Sequence, residues 1–307
     1  MKSGKLGIQS SVLDPVVPHR TWLVSTGSGG ARKLERRITA VFPDDRLIRT
    51  QDQGGIIHWR RGLPSDGFVI IIGGDGAWRE ALQSAPKAVT IGLLPAGSLS
   101  QAGIELGTDA RIEGWRRWRH TGIQLGHVEG YDGDAGGHAI FFLMAGAGVE
   151  ADAVARVRSW LKRWIGKWAY VWALIERLLR PVRKNIVVGI DGRHFRTPQV
   201  LVQNGAHYGG QYRVAATDVF TPGYRVLIWK YPGRCMWCLT MMCLMFGLPS
   251  AWLAHDMMAE QVRVRGVGKM RCQIDGDMGP ALPLRIRPTS ARKIAIAGKR
   301  YGRRSGL

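Results

Sequence analysis

The four residues Gly73-Gly74-Asp75-Gly76 are the group in the sequence best suited to chemistry on a phosphate. They follow the apolar, β-branched run Phe68 to Ile72, which predicts a strand buried on both faces of a parallel sheet. Glycines at the end of such a strand let the backbone approach a phosphate, and the N-terminus of a following helix attracts anions. Asp75 would then bind Mg²⁺ or accept a proton from an attacking hydroxyl. An ordinary tight turn is the alternative interpretation.

A second loop of small residues, Pro95-Ala96-Gly97-Ser98, ends the next apolar run, Val89 to Leu94. Ligands of open α/β sheets bind at the carboxyl ends of the strands, so we expect the two loops to face one cleft. This pairing of loops favours a ligand-binding function over a simple turn.

Strands and helices alternate over the first part of the chain, which predicts a parallel sheet covered by helices. A short strand at Thr21 to Ser25 leads through the turn Thr26-Gly27-Ser28-Gly29-Gly30 into a helix at Ala31 to Phe42. The other predicted elements here are a strand at Leu47 to Thr50 and helices at Ala77 to Gln83 and Leu99 to Leu106.

Beyond Trp118 the pattern changes to short strands separated by Gly/Asp turns, which predicts an antiparallel β domain. The predicted strands are His120 to Gly126, Ala139 to Met144, Asn185 to Ile190, Gln199 to Gln203, Arg225 to Trp229, Gln261 to Arg265, Met270 to Ile274 and Pro283 to Arg287. Two helical insertions interrupt them, near residues 150–180 and 235–258.

The composition indicates a globular protein with an anionic partner. The 307 residues include 44 Lys and Arg against 23 Asp and Glu, a formal charge of +21, which suits nucleic acid, anionic lipid or a phosphorylated substrate. No helix-turn-helix, zinc-finger or RNP-like motif occurs, so we expect no specific nucleic-acid binding. No stretch resembles a secretory signal or reaches the ~18–20 apolar residues of a spanning helix, and we expect a cytoplasmic protein with peripheral membrane contact.

Two segments of the predicted helical insertions are candidates for lipid contact. Trp160, Trp164, Trp168 and Trp172 recur at four-residue steps among basic residues, which suits an anionic bilayer surface or, alternatively, packing on the β domain. The Met-rich run Cys235 to Leu253 could line an acyl-chain tunnel, although a buried core helix is the commoner explanation. Its three cysteines predict buried, reduced thiols rather than a metal site.

Five segments, in order along the chain, resemble the diacylglycerol kinase catalytic-domain family, which includes bacterial lipid kinases and sphingosine kinases and is distantly related to NAD kinases. They are Phe68 to Glu80, Ile91 to Ser98, Phe142 to Val149, Asn204 to Ala216 and Gln273 to Asp277. They match the family's nucleotide loop, its Pro-x-Gly-Thr loop, its Gly-rich strand, its Asn…Tyr-Gly-Gly segment and its Asp-Gly-Glu turn. Together they cover most of residues 20–290.

The resemblance implies an α/β plus β architecture. Residues 18–118 would form a Rossmann-like, parallel-sheet domain that binds the nucleotide, and residues 119–292 an antiparallel β-sandwich domain that binds the lipid. For the basic tail, residues 293–307, a return to the N-terminal domain is one option.

The resemblance also implies ATP as phosphoryl donor, Mg²⁺ as metal and a lipid hydroxyl as acceptor, of the diacylglycerol, sphingoid or polyprenol type. Asp75 and Asp275 would be catalytic and metal-binding carboxylates that converge at a cleft. The implied nucleotide-binding residues are Gly27, Gly29, Gly73, Gly74, Asp75, Gly76, Gly97 and Ser98, with Glu80 and Asp277 as further acidic residues. The expected partner is the anionic inner face of the membrane, and a homodimer is left open.

Several positions depart from the family pattern: Ser25-Thr26 stands in place of its Asn-Pro, Ser98 in place of a Thr and Asp277 in place of a Glu. Ala77 replaces the Thr of GGDGT, and Ser100 and Gln101 replace an Asn and an Asp. The glycine backbone is kept while polar contacts to the nucleotide are lost, so a catalytically impaired lipid-binding or scaffolding relative is the alternative to an ATP-dependent lipid kinase. A soluble NAD kinase is disfavoured because the Trp-rich and Met-rich segments have no role in it.

Overall fold

The computed structural model describes residues 20–25, 31–50, 67–96, 100–108, 110–116, 118–130, 137–156, 176, 185–208, 212–213, 217–233, 235–237, 239–240, 253–268, 270–289 and 291–297. They divide into two compact units. The first is drawn from Met1–Ile123, Gly209–Gln211 and Ser290–Leu307, and the second from Gln124–Tyr208 and Tyr212–Thr289.

Strands and helices alternate in the first part of the chain, and the second part consists almost entirely of strands. The helices are α1 (Ala31–Val41), α2 (Asp75–Ser84), α3 (Gln101–Leu106) and α4 (Val149–Val154), with a 3₁₀ turn at Ile112–Arg116. The strands are β1 (Arg20–Ser25), β2 (Arg46–Thr50), β3 (Phe68–Gly73), β4 (Thr90–Pro95), β5 (Trp118–Ile123), β6 (Gly126–Gly130), β7 (Ala139–Phe141), β8 (Met144–Gly148), β9 (Ile186–Ile190), β10 (Arg193–Thr197), β11 (Gln199–Gln203), β12 (His207–Tyr208), β13 (Tyr212–Arg213), β14 (Tyr224–Trp229), β15 (Ala254–Ala259), β16 (Val262–Gly266), β17 (Arg271–Ile274), β18 (Asp277–Ala281), β19 (Leu284–Pro288) and β20 (Arg292–Ala297).

The first unit is built on a six-stranded sheet in the order β2-β1-β3-β4-β20-β5. All neighbours pair in parallel except β5, which lies antiparallel to β20 at the edge. Because β2 and β3 lie on opposite sides of β1, the strand order reverses between β1 and β3, where α/β sheets bind ligands. Every residue of β3 is buried, as its apolar run predicts.

Aromatic side chains form the core on one face of this first sheet. Trp22, Phe68 and Trp115 belong to one cluster, with Phe42 stacked on Trp22. On the other face lies α2, whose buried residues include Trp78. The sheet is therefore covered on both faces, and the carboxyl ends of its parallel strands lie along one edge.

The second unit contains two six-stranded antiparallel sheets. The second sheet has the order β10-β9-β16-β19-β6-β7, and the third sheet the order β15-β14-β11-β8-β17-β18. Both supply one hydrophobic cluster, to which Val188 and Ile286 come from the second sheet and Ala147 and Val226 from the third. The α/β plus β-rich class is thus confirmed.

The structure differs from the sequence expectation at β5 and β20. The predicted strand His120 to Gly126 is divided: β5 joins the first sheet, and β6 begins the second unit's strands. Residues 292–297 form β20, which lies between β4 and β5. Four consecutive buried residues, Ile294 to Ala297, suit an interior strand, and the half-buried residues of β5 suit an edge.

Other elements also correct the expectation. The predicted strand Ala139 to Met144 is two strands, β7 and β8, and residues 254–258 of the second predicted helical insertion lie in β15. Cys235 is exposed, whereas Cys272 is buried and has a pKa raised by burial to about 12. The tryptophan stripe and most of Cys235 to Leu253 lie outside the described residues. Among the helices that the structure describes, none is long and apolar enough to cross a membrane.

Candidate functional site

The carboxyl ends of β1, β3 and β4 meet at one edge of the first sheet. Gly73 pairs with Pro95 across β3 and β4, and its carbonyl accepts a 3.0 Å hydrogen bond from the Ala96 amide. A Cβ atom on Gly73 would lie 2.7 Å from the Cβ of Ala77 and 3.3 Å from that of Ser25. Only glycine fits here, because the end of β1 and the first turn of α2 both close on this residue.

The next glycines have open surroundings instead. Among the described residues, a Cβ atom on Gly74 or Gly76 would meet no atom within 4 Å apart from its chain neighbours and the backbone of its own helix. Gly74 precedes α2 as its N-cap and supplies no side chain to bond the helix's first amides. The backbone at the N-terminus of a ten-residue helix is therefore accessible, which is the arrangement that binds phosphate.

Asp75 connects the starts of two helices. Its carboxylate accepts hydrogen bonds from the amides of Gln101 (3.1 Å) and Ala102 (2.8 Å), with a longer contact of 3.5 Å from the Ser100 hydroxyl. The Ser100 hydroxyl also accepts from the Gly103 amide at 3.2 Å, so Ser100 caps α3. Asp75 thus lies in α2 and holds the beginning of α3.

Burial raises the pKa of Asp75 above its ordinary value, and this effect outweighs the amide bonds from Ala102 and Gln101 and the contact with Ser100, which all lower it. A carboxylate that holds its proton more tightly than usual is a better proton acceptor when ionised. About four lone-pair positions belong to a carboxylate, so two amide bonds leave room for a further ligand.

Two of the departures from the family pattern, Ser100 and Gln101, lie at positions that contact Asp75. Ser100 and Gln101 were singled out as lost polar groups, yet one gives a hydroxyl and the other a backbone amide to this carboxylate. The contact of Ala102 was missed, since a backbone amide leaves no mark in a sequence. The N-cap preference of serine was the available signal for Ser100.

Asp275 has a different setting in the second unit. It lies between β17 and β18 with a positive φ of 47°. Its Oδ2 accepts from the Phe142 amide at 2.8 Å, and its Oδ1 accepts from those of Leu143 and Met144 at 2.9 Å each. Asp275 thereby fixes the turn between β7 and β8. Its convergence with Asp75 and its metal binding stay predictions.

The remaining predicted site residues lie at separate places in the chain. Glu80 lies half-buried on α2, and Asp277 is exposed at the start of β18. The predicted nucleotide-binding residues Gly27, Gly29, Gly97 and Ser98 lie outside the described residues. No group of three or more metal-ligand side chains occurs in the part of the chain that the structure describes. Mg²⁺ that arrives with nucleotide phosphates fits this arrangement, because it usually takes one or two carboxylates and completes its shell with phosphate and water.

A buried polar cluster in the second unit was not predicted. Glu150 accepts hydrogen bonds from the amide groups of Gln199 (3.1 Å) and Gln273 (3.3 Å), both of which are buried. A Cβ on Gly146 would lie 3.1 Å from both Glu150 and Gln273. This cluster fixes the start of α4 against the third sheet, and no local pattern indicates it.

This combination of a parallel sheet with glycine-rich strand ends and a unit of two antiparallel sheets is similar in fold to three solved structures. Two solved structures, each described as "a putative diacylglycerol kinase from Bacillus anthracis str. Sterne", superpose with a TM-score of 0.68 at 15% identity, over 91% of this chain and 97% of theirs. A third structure, of a diacylglycerol kinase from the same organism, gives 0.64 at 14% identity, over 91% and 96%.

The expected resemblance is therefore confirmed at the level of fold. No family model and no curated protein matches the sequence.

Proposed function

We propose that this chain is an ATP-dependent lipid kinase that transfers the γ-phosphoryl group to a lipid hydroxyl. The observation that carries the proposal is Asp75: a half-buried carboxylate with a raised pKa, beside the open backbone of Gly74 and Gly76 at the reversal point of a parallel sheet. The fold shared with the diacylglycerol kinases supports it.

In the proposed reaction the phosphates of ATP accept hydrogen bonds from the first amides of α2. The close contact of Gly73 with Ala77 keeps those amides at the sheet edge. Asp75 orients the lipid hydroxyl and accepts its proton, and the amides of Gln101 and Ala102 hold its carboxylate in place. Mg²⁺, when bound, neutralises charge on the transferred phosphoryl group, and Asp75 and Asp275 are the proposed ligands.

The second unit is proposed to bind the lipid as a β-sandwich domain. We propose a cytoplasmic protein that acts at the inner face of the membrane, where its positive charge meets anionic lipid. Diacylglycerol-like, sphingoid and polyprenol alcohols are all candidate acceptors.

The test is transfer of radiolabel from γ-labelled ATP to extracted lipids by wild-type protein, Asp75→Asn and the control Asp44→Asn. Asp44 is an exposed carboxylate of the first unit, so its variant controls for loss of one negative charge. The wild type and the control should label a lipid, while Asp75→Asn should lose at least about 100-fold, the usual contribution of a general base. Equal labelling by the two variants would remove Asp75 from the mechanism.

A non-catalytic lipid-binding relative is the second candidate, favoured by one observation. The Asp75 carboxylate already accepts two backbone amides, a role that stabilises the fold without any nucleotide. This function requires vesicle binding without nucleotide affinity. Calorimetric titration with MgATP distinguishes the two, because micromolar binding contradicts the non-catalytic function.

A further inference from the structure

The outward side of the second sheet is rich in arginine. Along β16 and β19 the residues alternate: Val262 and Val264, like Leu284 and Ile286, are buried in the core. The residues between them point the other way, as does Arg196 on β10. We call this surface the arginine face, defined by Arg196, Arg263, Arg265, Arg285 and Arg287.

The register brings these side chains together. Arg263 is directly opposite Arg285, and Arg287 is opposite His127. The intervening strand, β9, has Val187 opposite both Arg196 and Arg265, and Gly189, which has no side chain, opposite Arg263. Arginines from three strands thus occupy one continuous surface.

The charge of this surface is strongly one-sided. Glu129 is the only acidic residue on the six strands of the second sheet, and it pairs with Arg287 at 2.9 Å and Arg285 at 4.0 Å. Asp191 and Glu260 lie in turns at one rim. Like charges directly opposite in a sheet repel each other, and Glu129, which lies opposite Arg285 on β6, offsets part of the repulsion between Arg263 and Arg285.

We propose that the arginine face docks on an anionic lipid bilayer, whose headgroup phosphates accept hydrogen bonds from the guanidinium groups. Neighbouring strands lie ~4.8 Å apart, so six strands give a surface roughly 24 Å wide, broad enough to meet many headgroups. Val267, close after Arg265 in the chain, is 73% exposed, and its apolar side chain suits the headgroup–acyl boundary.

A bilayer fits this surface better than a nucleic acid does. Readers of base edges insert a helix or a two-stranded ribbon into a groove, whereas the arginine face is the flat side of four adjacent strands, β10, β9, β16 and β19. Sheets that bind single-stranded nucleic acid stack bases on aromatic side chains, whereas Phe141 and Phe195 of this sheet pack in the core. The proposal goes beyond phosphoryl transfer and does not depend on it.

The test uses sedimentation with vesicles of phosphatidylcholine alone and of phosphatidylcholine mixed with phosphatidylglycerol. The face variant carries Arg263→Gln, Arg265→Gln and Arg287→Gln. The control variant carries Arg36→Gln, Arg46→Gln and Arg116→Gln, three exposed arginines of the first unit, so both variants lose the same charge.

Each basic residue near an anionic surface contributes about fivefold in affinity, so the face variant should bind mixed vesicles about 100-fold more weakly than wild type. The control variant should stay within about fivefold of wild type, because distant charges are screened. Thermal melting shows whether each variant is folded. If the triple variant does not fold, the single change Arg265→Gln replaces it, with an expected loss of about fivefold in affinity for mixed vesicles.

Equal losses in the face and control variants, or no loss in either, would overturn the proposal. Tighter binding to an oligonucleotide than to mixed vesicles at the same ionic strength, abolished in the face variant, would overturn the lipid assignment. Transfer to detergent-dispersed lipid is measured in parallel: its absence from every protein counts against the kinase, while vesicle binding still decides the docking surface.

Discussion

Replacing Gly76 by alanine should separate the stability of α2 from the binding of a nucleotide. Gly76 is the second residue of α2, and a Cβ there meets no atom of the described residues within 4 Å outside its chain neighbours and its own helix backbone. Alanine is favoured over glycine inside a helix by about 0.5–1 kcal/mol, so Gly76→Ala should raise the free energy of unfolding by that amount. The added methyl group would instead occupy the space proposed for a phosphate.

Gly73→Ala is the matched control, three residues earlier in the same loop. Its methyl group would lie 2.7 Å from the Cβ of Ala77, so the end of β3 or the start of α2 must move. Overpacking of this kind costs about 1–3 kcal/mol. The two alanine variants should therefore change stability in opposite directions.

Urea unfolding and calorimetric titration with MgATP measure the two effects. Gly76→Ala should be more stable than wild type and bind MgATP at least about tenfold more weakly, a loss of about 1.4 kcal/mol. A Gly76→Ala protein that keeps wild-type affinity would refute the assignment of the phosphate to this open backbone. A Gly76→Ala protein that is less stable than wild type would contradict the open surroundings of Gly76.

Three further substitutions test other parts of the structure. Burial raises the pKa of Asp75 above 3.8, so the protonated side chain stabilises the folded state below pH 3.8, and this contribution is lost as the pH rises through the raised pKa. The free energy of unfolding of wild type minus that of Asp75→Asn should therefore fall over this pH range. A free-energy difference that rises with pH would contradict the burial of this carboxylate. Asp275→Ala leaves three amides without their acceptor and should cost about 3–5 kcal/mol in urea unfolding, whereas Asp44→Ala, in an exposed turn, should stay within about 0.5 kcal/mol. Arg292 is buried, and its Nε and Nη2 atoms have no hydrogen-bond partner in the described structure. Arg292→Met should therefore raise the free energy of unfolding by about 1–3 kcal/mol. A lower free energy of unfolding would show that the guanidinium charge has a partner.

Local patterns were enough to predict the elements around the candidate site. The run Phe68 to Ile72 is apolar without alternation, because β3 is buried on both faces, and it ends where glycines begin. Spaced apolar residues likewise located α1 within one residue of its observed end. Such signals are local, since each strand or helix carries its own burial pattern.

Contacts between distant segments could not be predicted in the same way. β20 pairs with β4 across about two hundred residues, and its short Ile-Ala alternation does not say which sheet it joins. The hydrogen bonds that Gln101 and Ala102 donate to Asp75 come from backbone amides, which every residue but proline possesses. Glu150 and its two glutamines are brought together only when β8, β11 and β17 align.

Amide hydrogen exchange of residues 74–77, measured with and without MgATP, tests whether a nucleotide phosphate binds the backbone at the start of α2. Exchange at these amides should slow when MgATP binds to wild type, and should slow less in Gly76→Ala at the same MgATP concentration. Binding of MgATP that slows exchange in another segment and leaves these amides unchanged would contradict this position of the phosphate.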